Sequence, residues 1–378
     1  MSSSLTPDAV SAALSKVKDP ETDKPITELG WVSDISVGDG GVTFKIALPR
    51  GTGEASAKRR QALGPAARAA ALGAPGVKSV EITWSEDVLG REPTADDPLP
   101  GVKNVVLVMS GKGGVGKSSV ATNTALALRR AGYRVGLLDA DIYGPSIPTM
   151  LGISGRPVSL DGKTIEPLER FGVKLMSIGF LLEDSKQAII WRGPMLHGAL
   201  QQFLKDVHWG ELDYLVLDLP PGTGDVVLTL SQKLKVTGAV IVTTPQPVAT
   251  DDVFKSVSMC QKVNIPILGV VENMSFFIDT AGVRHELFGK GGGQAVAEFA
   301  KAPLLGQVPI DQTVREWADK GTPVVQAAPH SPIAKTFVEL AERLVDRIAE
   351  THLGEEDAGP VIDRSGGSGA KKKLPVVK

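Results

Sequence analysis

The sequence is poor in cysteine, in aromatic residues and in excess charge of either sign. Its 378 residues include one cysteine, Cys260, so no internal disulfide can form. Aromatic residues make up only 5% of the chain, and the formal net charge is -2. A nearly neutral chain has no bulk attraction to nucleic acid or to an anionic membrane. We therefore expect neither of these among its partners.

Long apolar runs are also missing. No uninterrupted apolar stretch has the length that a bilayer-spanning helix needs. The opening stretch MSSSLTPDAV lacks the basic region and apolar run of a secretory signal. Hydrophobic residues make up 42% of the chain and charged residues 22%, which is typical of a soluble globular protein. These features together predict a cytoplasmic protein.

Residues 1–88 have the pattern of a small α/β domain. Thr6 followed by Pro7 is a helix start signal, and the stretches WVSDISV and GVTFKIAL alternate as strands around the turn GDGG. The Ala-rich stretch AKRRQALGPAARAAALGAPG predicts a helix interrupted at Gly64-Pro65, and VKSVEITW predicts a last strand. Residues 89–101 are polar and rich in proline, which indicates a linker.

From Val102 onward, short strands rich in Val, Ile and Leu alternate with helical segments. Continuous apolar strands are typical of a mostly parallel sheet with helices on both faces, so the predicted fold class is α/β. The predicted strands are VKNVVLVMS, RVGLLDAD, VKLMSIGF, LDYLVLDL, GAVIVTTP and ILGVVENM. The last helical stretch has an apolar stripe of Ile333, Phe337, Leu340, Leu344 and Ile348. We assign residues 102–352 to this second domain and predict a disordered Gly-, Ser- and Lys-rich tail over 353–378.

A phosphate-binding loop lies between the first of these strands and a helix. GKGGVGKS, from Gly111 to Ser118, fits the pattern G-x-x-x-x-G-K-[ST]. Backbone amides of such a loop and the helix N-terminus favour phosphate. We expect Lys117 to reach the β- and γ-phosphates and the Ser118 hydroxyl to ligate Mg²⁺. ATP and Mg²⁺ are therefore the predicted ligands of a P-loop NTPase.

Carboxylates follow two of the predicted strands. Asp139 and Asp141 end one strand and Asp218 ends another, where side chains open onto the ligand crevice of a parallel sheet. Asp218 has the pattern of a carboxylate that supports Mg²⁺, through a water molecule. For Asp139 a structural capping role is the alternative. Gly222, on a proline-stiffened loop, is expected to meet the γ-phosphate through its N–H.

A second lysine, Lys112, gives the loop the form K-G-G-x-G-K-[ST]. This form resembles the deviant Walker A loop of the MinD/ParA/nitrogenase-iron-protein class of ATPases. The resemblance implies a homodimer whose closed form depends on ATP. It also implies that Lys112 reaches the partner's nucleotide and neutralises charge that develops during phosphoryl transfer.

Longer stretches resemble the Mrp/ApbC group of iron–sulfur cluster carriers. They include LLDADIYGPSIPTMLG, VTTPQPVATDDVFKSVSMCQKVNIPILGVVENMS and LFGKGGG, and DPETDKPITELGWVSDI resembles the cluster-assembly domain that precedes the ATPase in many members. The resemblance implies an ATPase that transfers [4Fe–4S] clusters to apoproteins. It implies that Asp141 positions the attacking water and that Asn273 contacts adenine. The resemblance also implies which residues bind phosphate and Mg²⁺. Together with Gly111, the first residue of the loop, they are Gly113, Gly114, Val115, Gly116, Lys117, Ser118 and Ser119.

The cluster ligands of that group are not repeated here. The group carries a C-x-x-C pair after ENMS, whereas this chain continues ENMSFFIDTAGVRHELFG, with Asp279 at the first cysteine position. The cysteine usual in the N-terminal domain is missing from ALPRGTGEAS. Cys260 lies in a helical stretch, where a lone cysteine is usually a small core residue. A mixed site of Cys260, Asp279 and His285 is the less favoured alternative to a core cysteine and an ordinary surface loop.

Three functions follow from these patterns. The first is an ATP-dependent iron–sulfur carrier that delivers clusters to apoproteins. The second is an ATP-driven dimeric switch of the same lineage that holds no cluster and works with a cysteine-bearing paralogue. The third is a positioning ATPase that acts on DNA or membrane, which the near-neutral charge and the missing basic helix disfavour.

Overall fold

The structure is a computed structural model that describes residues 5–20, 22–51, 53–142, 144–159, 161–181, 193–222 and 224–355. Within these residues the chain forms two separate hydrophobic cores, one for a small N-terminal domain and one for a large domain. The predicted tail from residue 356 onward lies outside the described residues. In the part of the chain that is described, no helix combines the length and the apolar character needed to cross a membrane.

The N-terminal domain packs two helices against a three-stranded sheet. Helix α1 (Pro7–Leu14) begins after Thr6, whose side chain accepts a hydrogen bond from the Ala9 amide. Strands β1 (Val32–Gly38) and β2 (Gly41–Pro49) form the predicted antiparallel hairpin, and β3 (Ser79–Asp87) pairs with β2 in parallel.

Helix α2 (Gly53–Leu72) corrects one prediction, because it runs through Pro65 without interruption. Proline removes one intrahelical hydrogen bond and disfavours a helix interior. Here Leu63, Ala67 and Ala71, on either side of the proline, are at most 1% exposed in the domain core. Burial of this face holds both halves of the helix in line.

Residues 89–101, between the two domains, pack against the large domain. Arg91 and Asp97 form an ion pair in which both side chains are fully buried. Leu99 is 2% exposed and belongs to the core of the large domain, and Asn104 Nδ2 donates to the Leu89 carbonyl at 2.8 Å. This segment is therefore an ordered connection rather than a solvated spacer.

The large domain is built on an eight-stranded sheet, as far as the described residues show. Every neighbouring pair is parallel except the pair of β6 and β7 at one edge. The order across the sheet is β13-β10-β9-β4-β8-β5-β7-β6. Its strands are β4 (Val102–Met109), β5 (Val135–Asp139), β6 (Leu168–Arg170), β7 (Val173–Ser177), β8 (Leu212–Asp218), β9 (Gly238–Thr243), β10 (Ile267–Glu272) and β13 (Leu304–Gln307), while β11 (Phe277–Ile278) and β12 (Arg284–His285) form a separate hairpin. All six strands predicted from the sequence are present.

Helices connect these strands, as expected for the predicted α/β class. They are α3 (Lys117–Arg130), α4 (Ile147–Met150), α5 (Gly193–Lys205), α6 (Gly224–Lys233), α7 (Pro247–Lys262), α8 (Gly292–Ala300), α9 (Gln312–Asp319), α10 (Val324–Ala327) and α11 (Pro332–Glu355). The apolar stripe predicted for the last helix is buried in the core. That helix continues past residue 352, where the sequence predicts the tail to begin, and Leu353 is buried in the core of the N-terminal domain.

Candidate nucleotide site

The phosphate-binding loop follows β4 at the carboxyl edge of the sheet and leads directly into α3. Gly114 and Gly116 have φ values of +80° and +78°, a region that glycine adopts without strain. A Cβ at Gly116 would lie 2.2 Å from Asn273 Nδ2, so close approach also requires glycine there. Helix α3 begins at Lys117, directly after Gly116, so its N-terminus adjoins the loop, as the motif predicts.

The centre of the site is a buried cluster of opposite charges. Lys117 Nζ lies 2.6 Å from Asp218 Oδ1 and 3.3 Å from Asp141 Oδ2, and the Ser118 hydroxyl donates to the other oxygen of Asp218. Lys117 is 6% exposed and Asp218 is fully buried. The fold thus brings together Lys117, Ser118, Asp141 and Asp218, which come from three separate segments of the sequence.

The two aspartates at strand ends have pKa values that burial shifts. Burial raises the pKa of Asp218, and the Lys117 ammonium and the Ser118 hydroxyl bond oppose that rise. Burial, followed by the nearby charge of Asp218, raises the pKa of Asp139 to about 8. Asp139 accepts hydrogen bonds from the amides of Asp141 and Ile147. Asp139 therefore has the capping role, and it holds the loop that carries Asp141.

The residues around Asp218 have the chemistry of a magnesium site. The Ser118 hydroxyl and the Asp218 carboxylate are in direct contact, and hard oxygen ligands are those that Mg²⁺ prefers. Lys117 balances the buried carboxylate in this structure. The oxygen pair and its position beside the phosphate-binding loop therefore fit the predicted ion.

Gly222 and Asn273 both hydrogen-bond to backbone carbonyls at or beside the loop. The Gly222 N–H donates to the Ser110 carbonyl at 3.1 Å, because the loop after β8 turns back onto the end of β4. Its contact with a γ-phosphate stays a prediction. Asn273 Nδ2 donates to the Val115 carbonyl at 2.8 Å and is 8% exposed. Its contact with adenine stays a prediction.

Lys112 and Gly111 occupy the first turn of the loop. Lys112 is partly exposed, and no carboxylate among the described residues lies within ion-pair distance of its ammonium group. Gly111 packs against helix α7: a Cβ there would lie 2.4 Å from the Val253 amide nitrogen. The motif predicts a phosphate contact for Gly111, whereas the structure adds a packing requirement.

Cys260 lies in the core of the large domain and not at its surface. It has no exposed area, and its Sγ is 3.6 Å from Met109 Sδ. Burial raises the pKa of the Cys260 thiol to about 12, so the thiolate that would ligate iron is disfavoured. The structure therefore places Cys260 as a core residue, and it does not support the alternative cluster site built on this thiol.

Asp279 and His285 pair with each other on the β11–β12 hairpin. His285 Nε2 lies 2.7 Å from Asp279 Oδ2, and Asp279 Oδ1 accepts from the amides of Ala281 and Val283. The His285 hydrogen bond is the main cause that lowers the pKa of Asp279. In the described ranges, no group of three or more His, Cys, Asp and Glu side chains is arranged to hold a metal ion. The pair therefore stabilises the turn of a surface hairpin.

Glu272 is a buried residue of the site region that motif-based prediction misses. It ends β10 immediately before Asn273 and is fully buried. The available signal is the same as for Asp218, since both are acids that follow an apolar strand. Two of its partners, Gly293 in α8 and Gln307 at the end of β13, are more than twenty residues away in the sequence, so the sequence does not reveal them.

The strand–loop–helix unit and the Lys117–Asp218 cluster define the protein as a P-loop NTPase. The chain belongs to the family described as NUBPL iron-transfer P-loop NTPase, which matches residues 101–345. Residues 7–84 match the family described as iron-sulfur cluster assembly protein. These matches confirm the resemblance and the fold class predicted from the sequence.

Two relatives match nearly all of the chain, and a solved structure matches its larger part. An iron-sulfur cluster carrier protein of Deinococcus radiodurans is 47% identical over 351 residues, which are 92% of this chain and 97% of the relative. An iron-sulfur cluster carrier protein of Synechocystis sp. is 43% identical over 356 residues, 92% of this chain and 99% of the relative. A nucleotide-binding protein of Archaeoglobus fulgidus, solved in complex with ADP, is 39% identical with a TM-score of 0.53, over 62% of this chain and 91% of that one.

Proposed function

We propose that this protein hydrolyses ATP and, as a homodimer, binds and transfers iron–sulfur clusters to apoproteins. The observation that carries the proposal is the meeting of Lys117, Ser118, Asp141 and Asp218 at the phosphate-binding loop. The names of the relatives, which match this chain over almost their whole length, support the cluster-transfer role.

The charged cluster accounts for how ATP is bound. Triphosphate offers Lys117 a stronger set of negative partners than the two carboxylates that it contacts now. When Lys117 turns to the phosphates, Asp218 keeps the hydrogen bond from the Ser118 hydroxyl. The Asp218 oxygen that Lys117 leaves becomes available to the metal. Mg²⁺, when bound by Ser118 and Asp218, neutralises charge on the β- and γ-phosphates.

Hydrolysis is an in-line displacement in which water attacks the γ-phosphorus and the bond to the ADP oxygen breaks. Asp141 lies at the edge of the cluster with its side chain 13% exposed, so it faces the site where water enters and orients the attacking molecule. Among the described residues no carboxylate pairs with Lys112, and this lysine supplies positive charge to the neighbouring subunit's nucleotide. Turnover is therefore slow until two subunits meet.

A second candidate function is favoured by the burial of Cys260. A [4Fe–4S] cluster takes four protein ligands, whereas two copies of this chain contribute at most two thiols, both in the core. A cluster-free ATP-driven switch needs no thiol of its own. In that case a cysteine-bearing paralogue holds the cluster and this chain supplies the conformational change.

Anaerobic reconstitution with iron and sulfide separates the two candidates. We expect ATP hydrolysis in either case, and we would measure bound iron, acid-labile sulfide and the visible absorption spectrum of wild type and Cys260→Ser. A cluster lost in the variant would assign it to Cys260 and contradict the core placement. A cluster equal in both proteins would support a carrier with other ligands. No cluster in wild type, with ATP still hydrolysed, would favour the switch.

A further inference from the structure

Glu272 is a buried carboxylate that the hydrolytic mechanism does not use. It is fully buried at the end of β10, and no cationic side chain among the described residues forms an ion pair with it. An unpaired buried charge is costly unless hydrogen bonds satisfy it. Its retention at this position therefore requires specific donors.

Three donors from three segments surround the carboxylate. Oε1 accepts from the Ser275 hydroxyl at 2.6 Å and from Gln307 Nε2 at 2.7 Å, and Oε2 accepts from the Gly293 amide. Ser275 immediately precedes a loop of residues 276–291, and Gly293 is the second residue after it, in helix α8. We call residues 276–291 the hairpin loop. Glu272 therefore ties both ends of the hairpin loop to one strand end.

Close contacts with Glu272 and Pro245 explain why two glycines, Gly292 and Gly293, follow the hairpin loop. A Cβ at Gly293 would lie 2.6 Å from the Glu272 Cβ, and one at Gly292 would lie 2.5 Å from the Pro245 carbonyl oxygen. Only glycine lets the start of α8 approach so closely, and the helix N-terminus favours the negative charge of Glu272. The close packing leaves little room for the loop base to move independently of β10.

The neighbouring residue connects the same strand end to the nucleotide site. The side-chain Nδ2 of Asn273 donates to the Val115 carbonyl at 2.8 Å. Its backbone N–H donates to the Thr243 carbonyl, also at 2.8 Å. Glu272 and Asn273 are consecutive, so one holds the hairpin loop while the other holds the phosphate-binding loop. A shift of Val115 on nucleotide binding would therefore displace both residues together.

The hairpin loop presents an unusual surface. Of the nine large apolar side chains that are exposed in the described part of the chain, five lie within residues 277–288. These are Phe277, Ile278, Val283, Leu287 and Phe288, with exposed fractions of 38%, 52%, 52%, 60% and 38%. Such concentration of exposed apolar area marks a surface whose position matters for interaction.

We propose that Glu272 is a positioning residue that transmits nucleotide occupancy of the phosphate-binding loop to the apolar hairpin loop. The proposal rests on the proposed function in that it requires nucleotide binding at Lys117. It goes further because it assigns the route by which the nucleotide state reaches an exposed surface. No cluster is needed for that route.

Hydrogen exchange of the full chain tests this route. Backbone exchange is compared with and without Mg²⁺ and a non-hydrolysable ATP analogue, in wild type and in Glu272→Gln. In wild type we expect protection of residues 111–120 and a change of about threefold or more in exchange at residues 276–291. In the variant one of the two accepting oxygens becomes an NH2 donor, so the three donors at Ser275, Gly293 and Gln307 can no longer all be satisfied, and we expect the hairpin response to weaken or disappear while protection of residues 111–120 and analogue affinity persist.

The matched control is Glu298→Gln, which makes the same change at an exposed position of α8 and keeps both responses. If Glu272→Gln melts many degrees below wild type, Ser275→Ala removes one of the three bonds and gives the same test with a smaller expected loss. A hairpin response of wild-type size in both variants overturns the proposal. Protection of residues 111–120 without any hairpin change in wild type also overturns it, but leaves the proposed function intact. Absence of protection at residues 111–120 overturns both.

Discussion

Arg50 of the N-terminal domain donates from Nη2 to the Ala131 carbonyl of the large domain at 3.1 Å. Its guanidinium also lies 4.4 Å from the centre of the Tyr133 ring. Ala131 caps the end of α3, and the same helix begins at Lys117 in the nucleotide site. The N-terminal domain therefore docks on the far end of the helix that begins in the candidate nucleotide site.

Arg50→Ala is expected to weaken this docking. The charged hydrogen bond and the cation–π contact are together worth about 1–2 kcal/mol at a partly exposed site. Denaturant unfolding would measure the loss, and hydrogen exchange would rise near residues 127–133. Arg60→Ala is the control, because Arg60 stacks over Trp84 within the N-terminal domain. Equal behaviour of the two variants would contradict a docking role for Arg50.

Alkaline pH is expected to destabilise the same interface. Burial raises the pKa of Tyr133 to about 12 from its ordinary value of 10. The folded protein therefore retains a proton that the unfolded chain loses, so stability falls as the pH rises from about 10 to about 12, by about 2 kcal/mol in total. Tyr133→Phe should flatten this decline in unfolding experiments. A decline of unchanged slope in the variant would show that Tyr133 is not its source.

Mixing two inactive variants tests whether Lys112 acts across the dimer. Lys112→Ala and Asp141→Ala should each lower ATP turnover by about a hundredfold or more while sparing ATP binding. In a mixed dimer, one site keeps its own Asp141 and receives an intact Lys112 from the partner. Equal mixing should therefore restore about a quarter of wild-type turnover, since half of the dimers are mixed and one of their two sites is intact. Mixtures as inactive as the separate variants would place Lys112 in its own subunit's site.

Lys117→Ala should abolish turnover and also destabilise the protein. It leaves Asp218 buried without its cation, and removal of one partner of a buried pair typically costs about 3–5 kcal/mol. Adding Asp218→Asn removes the uncompensated charge, so the double variant should regain much of the stability and none of the activity. Thermal unfolding and phosphate release separate the two effects. A double variant no more stable than Lys117→Ala would refute this account.

Cys260 should not react with thiol reagents in the folded protein. Its side chain is fully buried and its pKa is raised to about 12, so labelling should require denaturant. Cys260→Ser buries a hydroxyl beside Met109 and should lower stability by about 1–3 kcal/mol. Cys260→Ala, which buries no polar group, is the comparison. Rapid labelling of the native protein would show that the thiol is accessible.

The signals that predict the nucleotide site are local in the sequence. The loop from Gly111 to Ser118 and the acids after β5 and β8 lie at strand ends, and parallel strands bring such ends to one edge. The six predicted strands are long apolar runs, whereas β6 and β13 have only three and four residues and little pattern of their own.

Features that depend on contacts made only in the folded chain escape prediction. Pro65 reads as a helix break until the burial of its neighbours is known, and Arg91 reads as a linker residue until Asp97 is seen beside it. The partners of Glu272 come from positions 275, 293 and 307. Docking of the N-terminal domain through Arg50 is likewise a contact between residues 81 positions apart.

The burial of Leu353 in the core of the N-terminal domain affects how the chain is made. Domains generally fold as units during synthesis, beginning with the one made first. Here the core around Val10 and Phe44 includes a side chain from the end of α11, more than three hundred residues later in the chain. The core of the first-made domain is therefore completed only when the last described helix has packed against it.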